Sequence, residues 1–247
     1  MAEARDESPA PRTPPLIWAM PVILLLLIAI VWSNLCDGKK GIAGLMSANG
    51  GREDTWLVTL GLFIGILAVA GVGCGRGLAG IFIDDRDRIS LSRFQLIVWV
   101  ALLISALFTA GLTNTLPITN ADGPLAIKIP PQVWALLGVG GFSAVAAPGL
   151  LKARQRLHGD VEIRSSADQA TWMDLILSDT NSAVIDITKL QQLAFTVLLV
   201  AVYAGGLWNT LQGEAPINGF PTIDTGFVAL LTISHATYLG GKIRNVA

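Results

Sequence analysis

The chain has 247 residues, of which 52% are hydrophobic and only 14% charged, and its mean hydropathy is +0.59. Soluble domains carry about a quarter charged residues, so this balance excludes an ordinary soluble protein. A formal net charge of −1 argues against nucleic acid as a partner.

Residues 1–15 are acidic and Pro-rich (Glu3, Asp6, Glu7, Pro9, Pro11, Pro14, Pro15) and read as a disordered tail. Six uncharged stretches follow, each to be judged against the ~20 residues a helix needs to cross a bilayer. They are 16–35, 56–75, 94–115, 129–151, 190–213 and 225–241. The first is longer than a typical signal-peptide core and follows an acidic, Pro-rich segment, so it reads as a retained span. The first two spans form an N-terminal hairpin, 16–75, whose Gly61 and Gly65 make a G-x-x-x-G pair suited to close helix approach. The glycine run Gly71-Val72-Gly73-Cys74-Gly75 has no pore helix before it and no Lys-Ser/Thr after it, so a flexible helix end is its simplest meaning.

Asp84, Asp85 and Asp87 precede the third span. Oxygen-rich loops can hold a cation, but the EF-hand spacing is missing. These three are weak metal candidates, and a solvated turn is the preferred reading. No cofactor is expected. Cys36 and Cys74 fall at opposite ends of the first hairpin, which predicts no internal disulfide.

The third span opens a segment that the chain repeats. Ser90-Leu91-Ser92-Arg93-Phe94-Gln95 matches Asp186-Ile187-Thr188-Lys189-Leu190-Gln191, and Gly111-Leu112-Thr113-Asn114 matches Gly206-Leu207-Trp208-Asn209. The returning helices share Ala135-Leu136-Leu137 and Ala229-Leu230-Leu231. Repeat 1 covers 83–151 and repeat 2 covers 185–241. Each holds two spans, so both enter the membrane in the same direction, as parallel repeats about an axis along its normal. Between them, 152–184 is too short for a soluble catalytic domain. Its Ser166-Ala167-Asp168-Gln169 has the form of a capping box, which predicts a short amphipathic helix on the membrane surface with Trp172, Leu175 and Ile176 as partner-docking candidates. The chain ends in a basic tail, 242–247.

Lys and Arg accumulate on the cytoplasmic side. With the amino terminus inside, 13 of the 17 basic residues fall in inner segments. The expectation is therefore an all-α, polytopic integral membrane protein of a cell or inner membrane. It has six transmembrane helices, the last four forming two parallel two-helix repeats, and both termini are cytoplasmic.

No Asp, Glu, Lys or Arg lies deep in a span, which disfavours a proton- or cation-coupled carrier. Gln95 and Gln191, set at equal depth by the repeat, are candidates to line an inner mouth, and Asn114 and Asn209 an outer one. Glutamines that tie the hairpins together are the structural alternative. His235 and Ser143 are polar residues at mid-membrane. A Ser in the fourth span and a His in the sixth resemble the layout of rhomboid intramembrane proteases, which implies a protease-like enzyme. The motif departs from that family: Gly141-Phe142-Ser143-Ala144 lacks the second Gly of G-x-S-G, and no His-bearing second span or Trp-Arg loop is present. A His that hydrogen-bonds a neighbouring helix is the preferred reading. The leading functional expectation is a homo-oligomeric channel or passive transporter for an ion or small solute, not an enzyme. The alternative is a membrane anchor or assembly module that docks a membrane or cytosolic protein on its cytoplasmic face, and the protease-like enzyme comes third.

Overall fold

The computed structural model describes residues 51–115, 123–213 and 216–243, with the isolated positions 26, 28 and 29. The N-terminal tail, nearly all of the first span, the 116–122 connector and residues 244–247 lie outside that description. The described residues form helices joined by turns and isolated bridges, with no strand among them. Helix α1 is Arg52–Gly73, α2 Leu91–Asn114, α3 Pro131–His158, α4 Ile187–Gln212 and α5 Thr225–Ile243.

Helices α1 to α4 are each long and apolar enough to cross a membrane. Their shortest, 22 residues, reaches about 33 Å at ~1.5 Å per residue, which covers a hydrocarbon core of about 30 Å. Helix α5, at 19 residues, is less apolar because Thr232, Ser234, His235 and Thr237 interrupt its hydrophobic run.

The helix at the centre is α2, which packs against α1, α3 and α4, while α5 packs on α3 and α4. Its buried side chains fill most of its circumference, including Trp99, Leu102, Leu103, Ala106 and Ala110. They meet Leu136 of α3, Leu199, Tyr203 and Leu207 of α4 and Leu231 of α5 in one apolar core, where the rings of Trp99 and Tyr203 lie 5.7 Å apart. Helix α1 joins through Trp56, whose Nε1 donates to Ser105 Oγ of α2 at 3.0 Å. Gly61 of α1 is exposed and an added Cβ would meet nothing within 4 Å. No described helix therefore uses the close-approach surface expected at that residue.

At the end expected to be inner, the glycine run is a tight turn where the sequence suggests a flexible helix end. A Cβ on Gly71 would stand 2.8 Å from the Gly77 carbonyl, and one on Gly80 would stand 2.7 Å from the Gly71 carbonyl. The chain then uses one local device twice. Ile83 bridges Ile89 before α2, and Leu177 bridges Ile185 before α4. The amide of the residue capping each helix donates back across its hairpin, Ser90 to the Phe82 carbonyl and Asp186 to the Ile176 carbonyl, both at 2.8 Å.

The 159–186 segment differs from the single amphipathic helix expected there. It contains two one-turn 3-10 helices, Ala167–Gln169 and Trp172–Leu175. Ser166 Oγ accepts from the Asp168 amide at 3.3 Å, but the helix it starts ends at once. The reciprocal cap belongs to Thr171 and Asp174, whose carboxylate accepts from the Thr171 amide at 2.9 Å.

At the opposite end the two connectors pair. The Lys128 amide donates to the Asn218 carbonyl at 2.9 Å and the Phe220 amide to the Lys128 carbonyl at 3.0 Å.

Candidate functional site

Each helix of the α2–α5 core sends polar side chains to one buried cluster. Gln95 comes from α2, Ser143 from α3, Gln192 and Thr196 from α4 and His235 from α5, and none is more than 3% exposed. Gln192 Nε2 donates to Gln95 Oε1 at 2.8 Å and lies 3.0 Å from His235 Nδ1. Ser143 Oγ is 2.7 Å from the same ring nitrogen. Gln95 Nε2 donates to Thr196 Oγ1 at 2.5 Å, and Thr196 Oγ1 in turn donates to the Gln192 carbonyl at 2.9 Å. Unpaired polar groups are costly where neither water nor a partner reaches them, and mutual pairing is how such a cluster persists. One acceptor, Gln192 Oε1, has no partner.

The pore candidates divide. Gln95 sits in this packed seam, and Asn114 clamps the connectors: its Oδ1 accepts from the Ile217 amide at 2.9 Å, and its Nδ2 donates to the Ile217 carbonyl at 2.9 Å and to the Pro124 carbonyl at 3.3 Å. Gln191 and Asn209 are exposed on the outside of α4. The four amides therefore share no lumen within one chain, and the glutamine facing Gln95 is Gln192 rather than Gln191. The reason is geometric, because neighbours on a helix point about 100° apart and only one of the two can face α2.

Ser143 and His235 are brought together as their depths suggest. Other parts of a hydrolytic site are not found beside the pair among the described residues. Among the described residues no carboxylate orients the imidazole, Gln192 competes for the nitrogen that Ser143 uses, and Ser143 is 1% exposed.

Below the cluster lies a charged layer at the expected inner end. Asp179 accepts from Arg86 Nη1 and from Lys189 Nζ, both at 2.9 Å, and also pairs with Lys242. Burial pushes its carboxyl up, but Lys242, Lys189 and Arg86 outweigh that and hold it well below the usual carboxylate range. Asp174, buried, pairs with Arg164 at 2.6 Å and with Arg88 Nε at 3.3 Å. Arg86 and Arg88 precede α2, whereas Asp174 and Asp179 precede α4, so these ion pairs tie the two halves together.

The weak metal candidates are engaged separately. Asp84 binds Arg86 at 2.7 Å, Asp85 binds Lys152 at 2.6 Å and Asp87 binds Arg76 at 3.5 Å. The three carboxylates thus engage different cations, and no cluster able to hold a metal occurs among the described residues.

The docking candidates also divide. Leu175 is buried with Ile83, Leu91 and Tyr238, and Ile176 is half-buried against that group. Trp172 is 54% exposed while its ring lies 5.6 Å from Phe82 and 6.2 Å from Phe94. Met173 beside it is exposed.

Together, the helices define a multi-pass integral membrane protein. No protein-family model matches the chain, and no curated protein and no solved structure matches it.

Proposed function

We propose that this protein is a membrane assembly module, a closed helical unit that docks a protein partner on its charged end. The observation that carries the reading is the buried cluster of Gln95, Ser143, Gln192, Thr196 and His235, in which polar groups from all four core helices pair with one another, Gln192 Oε1 excepted, and no residue is exposed. A lumen through one chain would need such groups to face water instead. Two parallel hairpin repeats account for the paired devices before α2 and α4. With the first span and α5 counted, the chain has six spans, and the positive-inside bias turns the charged layer and both termini to the cytoplasm. Trp172 and Met173, exposed beside a folded charged layer, are the anchors of the docking face.

The test places a photo-crosslinking residue at Met173 or, as a control, at lipid-facing Val145 in native membranes. Adducts to a discrete second protein from position 173 alone are expected. Adducts to lipid only from both positions would overturn the reading.

A second reading is favoured by one placement. Gln191 and Asn209 are 18 residues apart, five full turns at ~3.6 residues per turn, so both lie on one exposed face of α4. Several copies could enclose a solute path lined by that face. Flux through liposomes that falls in Gln191→Ala and Asn209→Ala but not in Gln192→Ala would establish such a channel in place of the module.

A further inference from the structure

Helix α3 exposes a continuous stripe of Phe142, Val145 and Gly149, with Phe142 67% and Val145 80% exposed. In a membrane-spanning helix this face meets acyl chains. The same stripe continues toward the charged end as Lys152 and Arg156, both exposed, at the spacing of 3 and 4 residues that keeps side chains on one helix face. Beside it opens a cavity of about 220 Å³ between α3, the Asp84–Arg86 turn and the segment that follows α3. Its walls are the apolar side chains of Pro148, Leu151, Val161 and Ile163, and its charged lining is made of Lys152, Arg156 and Arg86 with the carboxylates of Asp84 and Asp85. Gly149, next to Pro148, leaves open space where a side chain would otherwise stand.

We infer that this cavity binds an anionic phospholipid, with its phosphate on Arg156 and Lys152 and an acyl chain running along Pro148, Val145 and Phe142. Basic pockets at the ends of membrane helices suit anionic headgroups, and a guanidinium matches phosphate oxygens in a bidentate fork. Three cations and two carboxylates line the cavity, and its surplus positive charge is that of Arg156. Arg156 forms no ion pair among the described residues. Asp84 is occupied by Arg86, and Asp85 shares Lys152 in a pair whose side chains are 61% and 53% exposed. Such a pair is weak enough to admit a phosphate as a second partner of the ammonium. A neutral or zwitterionic lipid fits the walls equally well but gains less from two cations, so the site selects for headgroup charge.

The test uses the full chain purified in neutral detergent and titrated with dioleoylphosphatidylglycerol or dioleoylphosphatidylcholine. Bound lipid is counted by native mass spectrometry and stability is read as melting temperature. Retention of the glycerol lipid about tenfold tighter than the choline lipid is expected. That preference should vanish in Lys152→Gln plus Arg156→Gln and survive in Lys128→Gln, which removes a charge at the opposite end. Should the double variant fail to fold, Val161→Trp keeps both cations and fills the cavity, and it too should lose the preference. Equal retention of the two lipids, or a preference intact in these variants, would overturn the proposal. Inorganic phosphate that reproduces the whole melting shift would overturn it as well, since the apolar walls would then contribute nothing.

Discussion

Gln192 is the joint of the buried cluster, because its Nε2 reaches both Gln95 and His235 while its own Oε1 already lacks a partner. Replacing it with Ala strands the Gln95 acceptor and opens space among four helices. Gln192→Ala should therefore cost about 1–3 kcal/mol, whereas Gln191→Ala, on the exposed face of the same helix, should stay within about 0.5 kcal/mol. Chemical denaturation in mixed micelles checks this, and equal losses in the two variants would refute the assignment. Asn114→Ala removes three hydrogen bonds that hold the connectors and should also cost about 1–3 kcal/mol. Part of this is legible in the sequence. The depth of Ser143 and His235 follows from counting residues along the spans, and the polarity of position 95 from the repeat. The repeat equates Gln95 with Gln191, however, and equivalent positions share an environment only if both helices have the same neighbours. Helix α2 is flanked by α1 and α3, and α4 keeps one side exposed, so the equivalence fails at the level of the side chain.

At the scale of elements, the helices are legible because their apolar runs exceed bilayer thickness, and the turns are not. The glycine run after α1 is an example. Its composition fits a loose end equally well, and only the return of Gly80 against Gly71 turns small size into a packing requirement. Gly71→Ala places its Cβ 2.8 Å from a backbone oxygen and should destabilise by about 1–3 kcal/mol. Gly61→Ala meets open space and should gain up to about 1 kcal/mol from helix propensity alone. Thermal melts of the two variants beside the wild type make the comparison, and similar shifts of one sign would show that the turn is not tight. The segment after α3 gives the same lesson. Two capping signatures, at Ser166 and at Thr171, stand five residues apart, and two short turns satisfy both where one helix could use only the first.

For the whole molecule, the charged layer holds the halves together through contacts that no local pattern reveals. Arg86 and Asp179 are 93 residues apart, and a count of basic residues treats both Arg86 and Lys189 only as markers of orientation. Three cations converge on the Asp179 carboxylate, so neutralising it leaves buried positive charge uncompensated, at a cost of about 3–5 kcal/mol. The pH dependence follows in sign. The folded-state pKa of Asp179 is depressed below the unfolded value of about 3.9, so its contribution is fully present above about pH 4 and is lost as pH falls through the folded value. The melting temperature of Asp179→Asn should lie below that of the wild type by a constant margin from pH 7 down to about pH 5, and the margin should close only on further acidification. A margin that closes between pH 7 and pH 5 would mean that the carboxylate is not stabilised by its cations. A margin absent at every pH would mean that the two halves are held by the apolar core alone.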